Sequence, residues 1–473
     1  MVHLGEPVTD LVVIVPGILG SRLTKNGDEV WGTSPRRLLV NLLTFGRTLR
    51  TSLAIPFDVD PDDPRDGVEP AGLITGLVVI PGFLGIDFYD QLRFNLRQDL
   101  ELGEGQLDDF AYDWRLSCRV NGALLTAFLD EKLDRYRATS GRANAKAILV
   151  CHSMGGLVAR WCADQAQGGE LIRTIITIGT PHKGSMHALD AIANGVRLPR
   201  RVGVDLTTMA LSLPSLYELL PTYSCVRVDG RYYGLGHQAI LDRIVGLCPI
   251  EVPALADRID RGLSLHSDLL QDLPETGPTA YGLVCFRGAE QPTPISADLG
   301  ATLRCVEEID GVARGGDGVV PDDSGIPAYW NDTTRAKGAE GKHSTMASGA
   351  GLREEIRVTL RHTGRLQSPV IAATSRLPTE LPAGQGFQAT VQALTRSDGR
   401  RPPLNLKFTV TPIETKTPVA EFSVPSVGEP PGYRAAVPGL PAGLYQLSWR
   451  PANHRALAID ELADWLVVYE DGA

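Results

Sequence analysis

The sequence predicts a mostly parallel α/β sheet covered by helices on both faces, interrupted by a cap insertion and followed by an all-β sandwich. Three observations predict it. Short, unbroken β-branched runs such as 11–15 and 172–178 have the composition of strands buried on both faces. Helical patterns alternate with those runs, the rhythm of crossover connections in a parallel sheet. From about Leu366 the chain changes character: Pro369, Pro378 and Pro382 open a series of short alternating segments separated by turn residues.

Composition sets the outer limits. At 473 residues the chain is long for one domain, so two are expected. Its 46 basic residues face 56 acidic ones, a formal net charge of −10, which argues against nucleic acid as the principal partner and leaves room for local basic patches. With 43% hydrophobic residues it can bury a large core, and its 50 glycines and 33 prolines favour turns over a helical bundle. No basic stretch leading into a long apolar one precedes the strand at 11–15, and no apolar run approaches the ~18 residues needed to cross a bilayer. The seven cysteines are odd in number and irregularly spaced, the pattern of a reduced chain. The expected location is therefore cytoplasmic, at most peripheral at a membrane.

Taken in order, the 11–15 strand ends in Pro16-Gly17-Ile18-Leu19-Gly20-Ser21, a turn that exposes backbone N–H groups. Such a loop supplies half of an oxyanion hole in serine hydrolases, or is an ordinary strand-to-loop turn. Residues 35–57 interleave apolar bulk, including Leu39, Leu42, Leu43 and Phe45, with Arg36, Arg37, Arg47 and Arg50 and no acidic residue. Two readings stand: a segment lying on an anionic lipid surface, or a helix packed on the sheet with a basic outer face. The stretch 73–79 reads as a strand before a second Pro-Gly turn at Pro81-Gly82, 88–100 as a helix, and 110–115 as the end of a strand. Asp113 and Arg115 are either catalytic or a structural ion pair that shapes a loop near the site, and the second reading is preferred. Residues 124–138 form an amphipathic helix leading to the next strand.

That strand, 145–151, stops at His152-Ser153-Met154-Gly155 and passes at once into a helical run. This is the layout of a nucleophile elbow, G-x-S-x-G, with Cys151 in the first glycine position. Cys151 is either a small residue tolerated at a crowded turn or a thiol that makes the site redox-sensitive. The strand 172–178 then ends in Gly179-Thr180-Pro181-His182. Residues 186–273 break the alternation and read as the cap carrying a substrate pocket, and 279–286 resumes the sheet. Two late loops complete a pattern. Gly316-Asp317-Gly318 puts a carboxylate in a glycine-bordered turn, and Lys342-His343-Ser344 puts a histidine ahead of a last helix near 352–360. The order Ser153, Asp317, His343 is that of an α/β-hydrolase triad. Asp310, Asp322 and Asp323 are rival acids, and His182 is a rival base. No His, Cys or Asp cluster has metal-ligand spacing, and the chemistry needs neither metal nor cofactor.

These residues resemble the lecithin:cholesterol acyltransferase and lysosomal phospholipase A2 family over most of residues 11–360. The likeness rests on Pro16 to Gly20, Pro81 to Gly85, Tyr112-Asp113-Trp114-Arg115, His152 to Gly155, Gly179 to Pro181, Gly316 to Gly318 and His343. It implies Ser153 as nucleophile, Asp317 as acid and His343 as base, with the backbone N–H groups of Leu19 and Met154 forming the oxyanion hole. It also implies cleavage of a glycerophospholipid ester and transfer of the acyl group to water or an alcohol. Leu39, Leu42, Leu43, Phe45 and Arg47 are the expected substrate or membrane contacts. The chain departs from the animal members in having no cysteine between Gly32 and Leu73 and none after Cys305 to pair with Cys285. A small-ester or thioesterase enzyme, and an inactive scaffold that only binds, are the competing expectations. The expected boundaries are 1–365 for the hydrolase domain and 366–473 for an immunoglobulin-like sandwich, whose partner the sequence does not name.

Overall fold

The computed structural model describes residues 7–32, 52–74, 78–80, 84–86, 89–197, 205–271, 281–289, 291–330, 336–361, 373–378, 380–393, 405–415, 417–425, 432–452 and 462–470. Six strands build the central sheet: β1 (Leu11–Val15), β2 (Leu107–Asp109), β3 (Ala147–His152), β4 (Ile172–Ile178), β5 (Gly282–Gly288) and β6 (Lys337–Ala339). Their order across the sheet is β6-β5-β4-β3-β1-β2, and every pairing is parallel. Every residue of β1 and β3 is buried, the outcome their unbroken apolar runs require.

The strand order reverses between β1 and β3. The chain leaves β1 toward β2 on one side, then returns and builds β3 to β6 outward on the other. Ligands of open α/β sheets bind outside the carboxyl ends of the strands at such a switch point, because connections there diverge and leave a crevice. The loops after β1 and β3 are those carrying Leu19 and Ser153.

Helices cover the sheet: α1 (Tyr89–Asp99), α2 (Cys118–Ser140), α3 (Gly155–Asp164), α4 (Met186–Asn194), α5 (Leu255–Gln271) and α6 (Ala350–Arg361). Ser117 caps α2 by accepting from the Arg119 N–H, and Gly141 ends it in the left-handed region. Leu125, Leu129 and Leu133, one per turn, are wholly buried along its inner face.

Two expectations are corrected. Residues 110–115 are not strand: β2 ends at Asp109, and the loop beyond is held by side chains, Trp114 Nε1 donating to the Ser21 carbonyl at 3.1 Å. Nor does 73–79 form one strand of the main sheet. Val68–Leu73 pairs antiparallel with Ser21–Lys25, and Val78–Ile80 pairs antiparallel with Leu84–Ile86.

The insertion between β4 and β5 holds α4, α5 and further helices at Thr207–Ser212, Pro214–Tyr217 and Gln238–Leu247. It does not stand alone. Its strand Val226–Val228 pairs with Ser296–Leu299, which comes from the connection between β5 and β6. α5 is tied down by Arg160, which donates to the Leu269 carbonyl, and by Arg119, which bridges Glu218 and Asp268.

The C-terminal strands are β7 (Ala373–Arg376), β8 (Glu380–Pro382), β9 (Phe387–Ala393), β10 (Asn405–Pro412), β11 (Ala420–Pro425), β12 (Gly432–Val437), β13 (Gly443–Pro451) and β14 (Leu462–Tyr469). They form two sheets, β7-β9-β12 and β8-β14-β13-β10-β11, that share one core around Phe408, Tyr433, Leu447 and Trp449. The first strands divide between the sheets, and β8 runs parallel to the last strand, an immunoglobulin-like sandwich. The last strand is Leu462–Tyr469, and the expected boundary near Leu366 lies outside the described residues.

Candidate active site

Ser153 sits one residue beyond β3, at φ 52°, in the left-handed region that non-glycine residues avoid. The strand-to-helix turn demands it: the chain reverses within a residue and enters α3 at Gly155. A side chain at position 155 would put its Cβ 2.4 Å from the Pro16 carbonyl oxygen, so only glycine lets α3 start against the end of β1. The Thr180 hydroxyl holds the turn from the other side, donating to the Ser153 carbonyl at 2.8 Å.

The three late-chain expectations converge on one line. Ser153 Oγ lies 2.9 Å from His343 Nε2, and His343 Nδ1 lies 2.7 Å from Asp317 Oδ2. The second carboxylate oxygen, Oδ1, accepts from the N–H groups of Val319 and Val320 at 2.9 and 2.7 Å. Both Asp317 oxygens are thereby spent, and the carboxylate cannot rotate away from the imidazole. The His343 N–H also donates to the Asp317 carbonyl at 2.8 Å, locking the two loops together. Gly179, at the end of β4, makes room for the pair: a Cβ there would lie 2.9 Å from Asp317 Oδ2 and 3.1 Å from His343 Nδ1. That is the physical content of the Gly179-Thr180-Pro181 motif.

Leu19 has φ 64°, a second strained residue, in the loop after β1. Met154 directly precedes α3. Neither backbone N–H takes a partner among the described residues. The cavity at Ser153 is walled by apolar side chains, among them Ile18 and Pro181 from the sheet loops, Leu216 and Leu219 from the insertion, and Val319 and Val320 from the acid turn.

The rival residues lie elsewhere. Asp322 pairs with Arg287 at 2.5 Å, Asp323 pairs with Arg314 at 2.6 Å, and Asp310 occupies an exposed turn. His182 is buried beside Thr177, its Nε2 3.3 Å from the hydroxyl. Burial pushes its imidazole well below the usual range, and its partners are not those of the relay. Arg115, fully buried, meets Asp113 and Asp66 at 2.7 Å each, so the Tyr112-Asp113-Trp114-Arg115 motif is an ion-paired clamp. Of the arginine-rich segment, Leu53 and Ile55 are core residues, and the Ile55 N–H donates to the Ser212 hydroxyl. Its remaining residues 35–51, with Leu39, Leu42, Leu43, Phe45 and Arg47, lie outside the described residues. None of the seven cysteines forms a disulfide, and burial pushes the Cys151 thiol well above its usual range, which disfavours the reactive thiolate.

One part of the site was not foreseen. His152 Nε2 lies 3.1 Å from the His343 carbonyl, and since a carbonyl only accepts, Nε2 carries the proton. Nδ1 then accepts from the Tyr89 hydroxyl at 3.3 Å, and that hydroxyl accepts from the Gly17 N–H at 2.7 Å. One chain of hydrogen bonds thus connects the loop after β1 with the loop bearing His343. Burial lowers the His152 pKa well below the usual range, consistent with the neutral ring this requires. His152 was visible in the elbow motif without an assigned role, and nothing in the sequence around Tyr89 marks it.

A parallel sheet with this strand order, a left-handed serine after its third strand and a histidine–aspartate pair in the late loops define the α/β-hydrolase class. Residues 104–232, which include the elbow, match the lecithin:cholesterol acyltransferase family. A Saccharomyces cerevisiae protein described as uncharacterized, YJR098C, is 30% identical over 172 residues, 36% of this chain and 23% of its own length. The chain thus spans under a quarter of that relative. Among solved structures, the Tle4–Tli4 complex is similar at a TM-score of 0.49 and 15% identity, covering 75% of this chain and 98% of that one. The propeptide form of Bacillus licheniformis lipase BlEst2 follows at 0.33 and 14%, covering 98% and 76%. Phospholipase PlaB from Legionella pneumophila stands at 0.23 and 9%, covering 98% and 93%. The fold assignment rests on the sheet order and not on these likenesses.

Proposed function

We propose that the protein is a serine-dependent lipid acyl-ester hydrolase or acyltransferase, phospholipase A-like, that works through an acyl-enzyme on Ser153. The unbroken line from Ser153 Oγ through His343 to Asp317 carries this reading. His343 Nε2 takes the Ser153 proton as Oγ attacks an ester carbonyl. Asp317 holds the Nδ1 proton in place and stabilises the imidazolium that forms. The N–H groups of Leu19 and Met154 are the proposed oxyanion hole, each donor contributing about 3–4 kcal/mol to the transition state. Met154 stands at the positive end of α3, which adds to that stabilisation. The His343 proton then passes to the leaving alcohol, and water or a second alcohol attacks the acyl-enzyme by the same route in reverse.

Lipid esters are the proposed substrates because of the family match over the elbow segment and the apolar walls of the cavity. Residues 1–365 are the proposed catalytic domain, with 186–273 as cap and 366–473 as an accessory sandwich. The proposed working place is a cytoplasmic lipid surface, with Leu39, Leu42, Leu43, Phe45 and Arg47 as contacts. No helix among the described residues is long and apolar enough to cross a membrane.

A fluorophosphonate probe tests the chemistry. Wild type should label stoichiometrically and Ser153→Ala should not, and a folded wild type that fails to label overturns the enzyme reading. Fatty acid release from phosphatidylcholine/phosphatidylglycerol vesicles, compared with turnover of a soluble short-chain ester, tests the substrate class. Turnover of the soluble ester alone would replace the lipid reading with a small-ester one.

A further inference from the structure

A second histidine lies in the wall of the cavity at Ser153. His187, in the first turn of α4, lines it together with Ser153 and His343. Its Nε2 lies 3.2 Å from the Gly318 carbonyl, next to Asp317. A carbonyl has no proton to give, so Nε2 must carry one for the contact to be a hydrogen bond. In a neutral imidazole that leaves Nδ1 as a bare acceptor. Burial lowers the His187 pKa and keeps the ring neutral. Nδ1 takes no partner among the described residues, and it is not sealed inside the protein either.

The other polar side chains around the cavity are already engaged. Ser153 and His343 form the relay. The Ser185 hydroxyl donates to the Val319 carbonyl at 2.6 Å and accepts from the His187 N–H. What remains among the described lining residues is apolar. Among the described lining residues His187 Nδ1 is thus the spare hydrogen-bond acceptor, and Asp190, His343 and Asp317 all act on its ring electrostatically.

We propose that His187 Nδ1 is a specificity residue for the second half-reaction, accepting a hydrogen bond from the group that attacks the acyl-enzyme. The inference rests on the acyl-enzyme reading above. Its consequence follows from counting protons. Attacking water gives one proton to His343 Nε2 as its oxygen bonds to the acyl carbon, and its second O–H donates to His187 Nδ1. The carbon–Oγ bond breaks, His343 returns the proton to Ser153, and a free fatty acid leaves. A simple alcohol has a single O–H, which goes to His343, and nothing then satisfies His187. A vicinal diol attacks with one hydroxyl and donates to His187 with the other, giving a monoester. The site therefore selects water and polyols of the glycerol type over simple alcohols as acyl acceptors.

The test uses the full-length chain with p-nitrophenyl butyrate as donor and measures the ratio of new ester to free butyrate. That ratio is fixed after the acyl-enzyme forms, so differences in acylation cancel. Ethylene glycol and 2-methoxyethanol attack with the same kind of hydroxyl, but only the glycol can donate from its second oxygen. One neutral hydrogen bond predicts that glycol transfers about 3- to 10-fold better after correction for its two hydroxyls. His187→Leu should abolish this preference and lower hydrolysis relative to 2-methoxyethanol transfer by a similar factor. His187→Gln, which keeps a donor for Gly318 and an acceptor for the cavity, should restore part of it. Equal transfer to both alcohols by wild type overturns the proposal, even if His187→Leu does not fold. An unchanged ratio in a folded, fluorophosphonate-reactive His187→Leu overturns it as well. No ester turnover and no labelling in wild type would instead overturn the acyl-enzyme reading beneath it.

Discussion

The parallel sheet and the C-terminal sandwich bury their polar groups differently. Around the central sheet, Asp113, Arg115, Arg160, Glu218, Asp317, His152, His182, His266 and His343 are all buried. In the sandwich the buried polar residues among those described are Thr409 and Ser448, whose hydroxyls meet at 2.6 Å. Burying an ionisable group costs free energy unless partners compensate it, so each one in the first part needs a dedicated arrangement. The described residues of the sandwich bury no carboxylate, guanidinium, ammonium or imidazole, although the Trp449 Nε1–H is buried there without a partner among them. Its core is Phe408 packed against Trp449 at 4.4 Å between centroids, with Leu447 and Tyr433 around them. One region spends stability on placing chemistry, and the other is placed by packing alone.

The largest effect that would test this contrast is at the elbow. Ser153→Gly removes the nucleophile and, with it, the Cβ that makes φ 52° unfavourable. Ester turnover should fall by three orders of magnitude or more, while chemical denaturation should show a gain of about 1 kcal/mol. A loss of stability would mean that the elbow is not strained. Trp449→Ala should cost the sandwich about 3–5 kcal/mol by leaving a cavity in its core. Fluorophosphonate labelling of Ser153 at temperatures below the transition should persist, and its loss would show that the two regions are energetically one.

Acid should act on the buried histidines. Both His266 nitrogens face carbonyls, those of His182 and Glu218, which favours the charged ring, but burial outweighs these contacts and lowers its pKa to about 4, below the unfolded value, so the unfolded chain binds the extra proton first as pH falls. The stability that its neutral form contributes is present above about pH 6.5 and is lost between there and about pH 4, at about 1.4 kcal/mol per pH unit. His266→Gln should flatten the wild-type slope by that amount over this window, in urea titrations at half-unit steps. A parallel pair of curves would mean that the ring is charged in the folded protein. The smallest effect belongs to the sandwich: Thr409→Val should cost about 1 kcal/mol by stranding the Ser448 hydroxyl, and adding Ser448→Ala should recover most of it.

Much of the site was legible because each motif is local. Ser153, Asp317 and His343 each sit in a short stretch whose glycines and flanking strand announce a loop at a strand end. The rest was hidden because it depends on contacts between distant positions. Tyr89 matters only because Gly17 and His152 reach its hydroxyl, 72 and 63 residues away in the chain. Arg115 was read as paired with Asp113, but its second carboxylate, Asp66, lies 49 residues earlier. The misplaced strand at 110–115 has the same origin. Phe110, Tyr112 and Trp114 have strand-like alternation, yet the ladder to β1 stops where the Phe110 N–H donates to the Ile14 carbonyl, and beyond it the Tyr112 and Trp114 side chains donate to the Pro16 and Ser21 carbonyls.

What the sequence by itself determined is the alternation of buried strands and amphipathic helices, the change to short β segments after Leu366, and the order Ser153, Asp317, His343. These follow from hydrophobic period and turn chemistry, which act over a few residues. Only the tertiary structure decided that β1 and β3 lie side by side, so that the loops carrying Leu19 and Ser153 open at one switch point. It also decided that two separate connections share one accessory sheet, and that His187 lines the cavity beside Ser153 while its Nε2 meets the Gly318 carbonyl. Those outcomes depend on which groups remain unpaired once every strand has found its neighbour, and no local pattern encodes that.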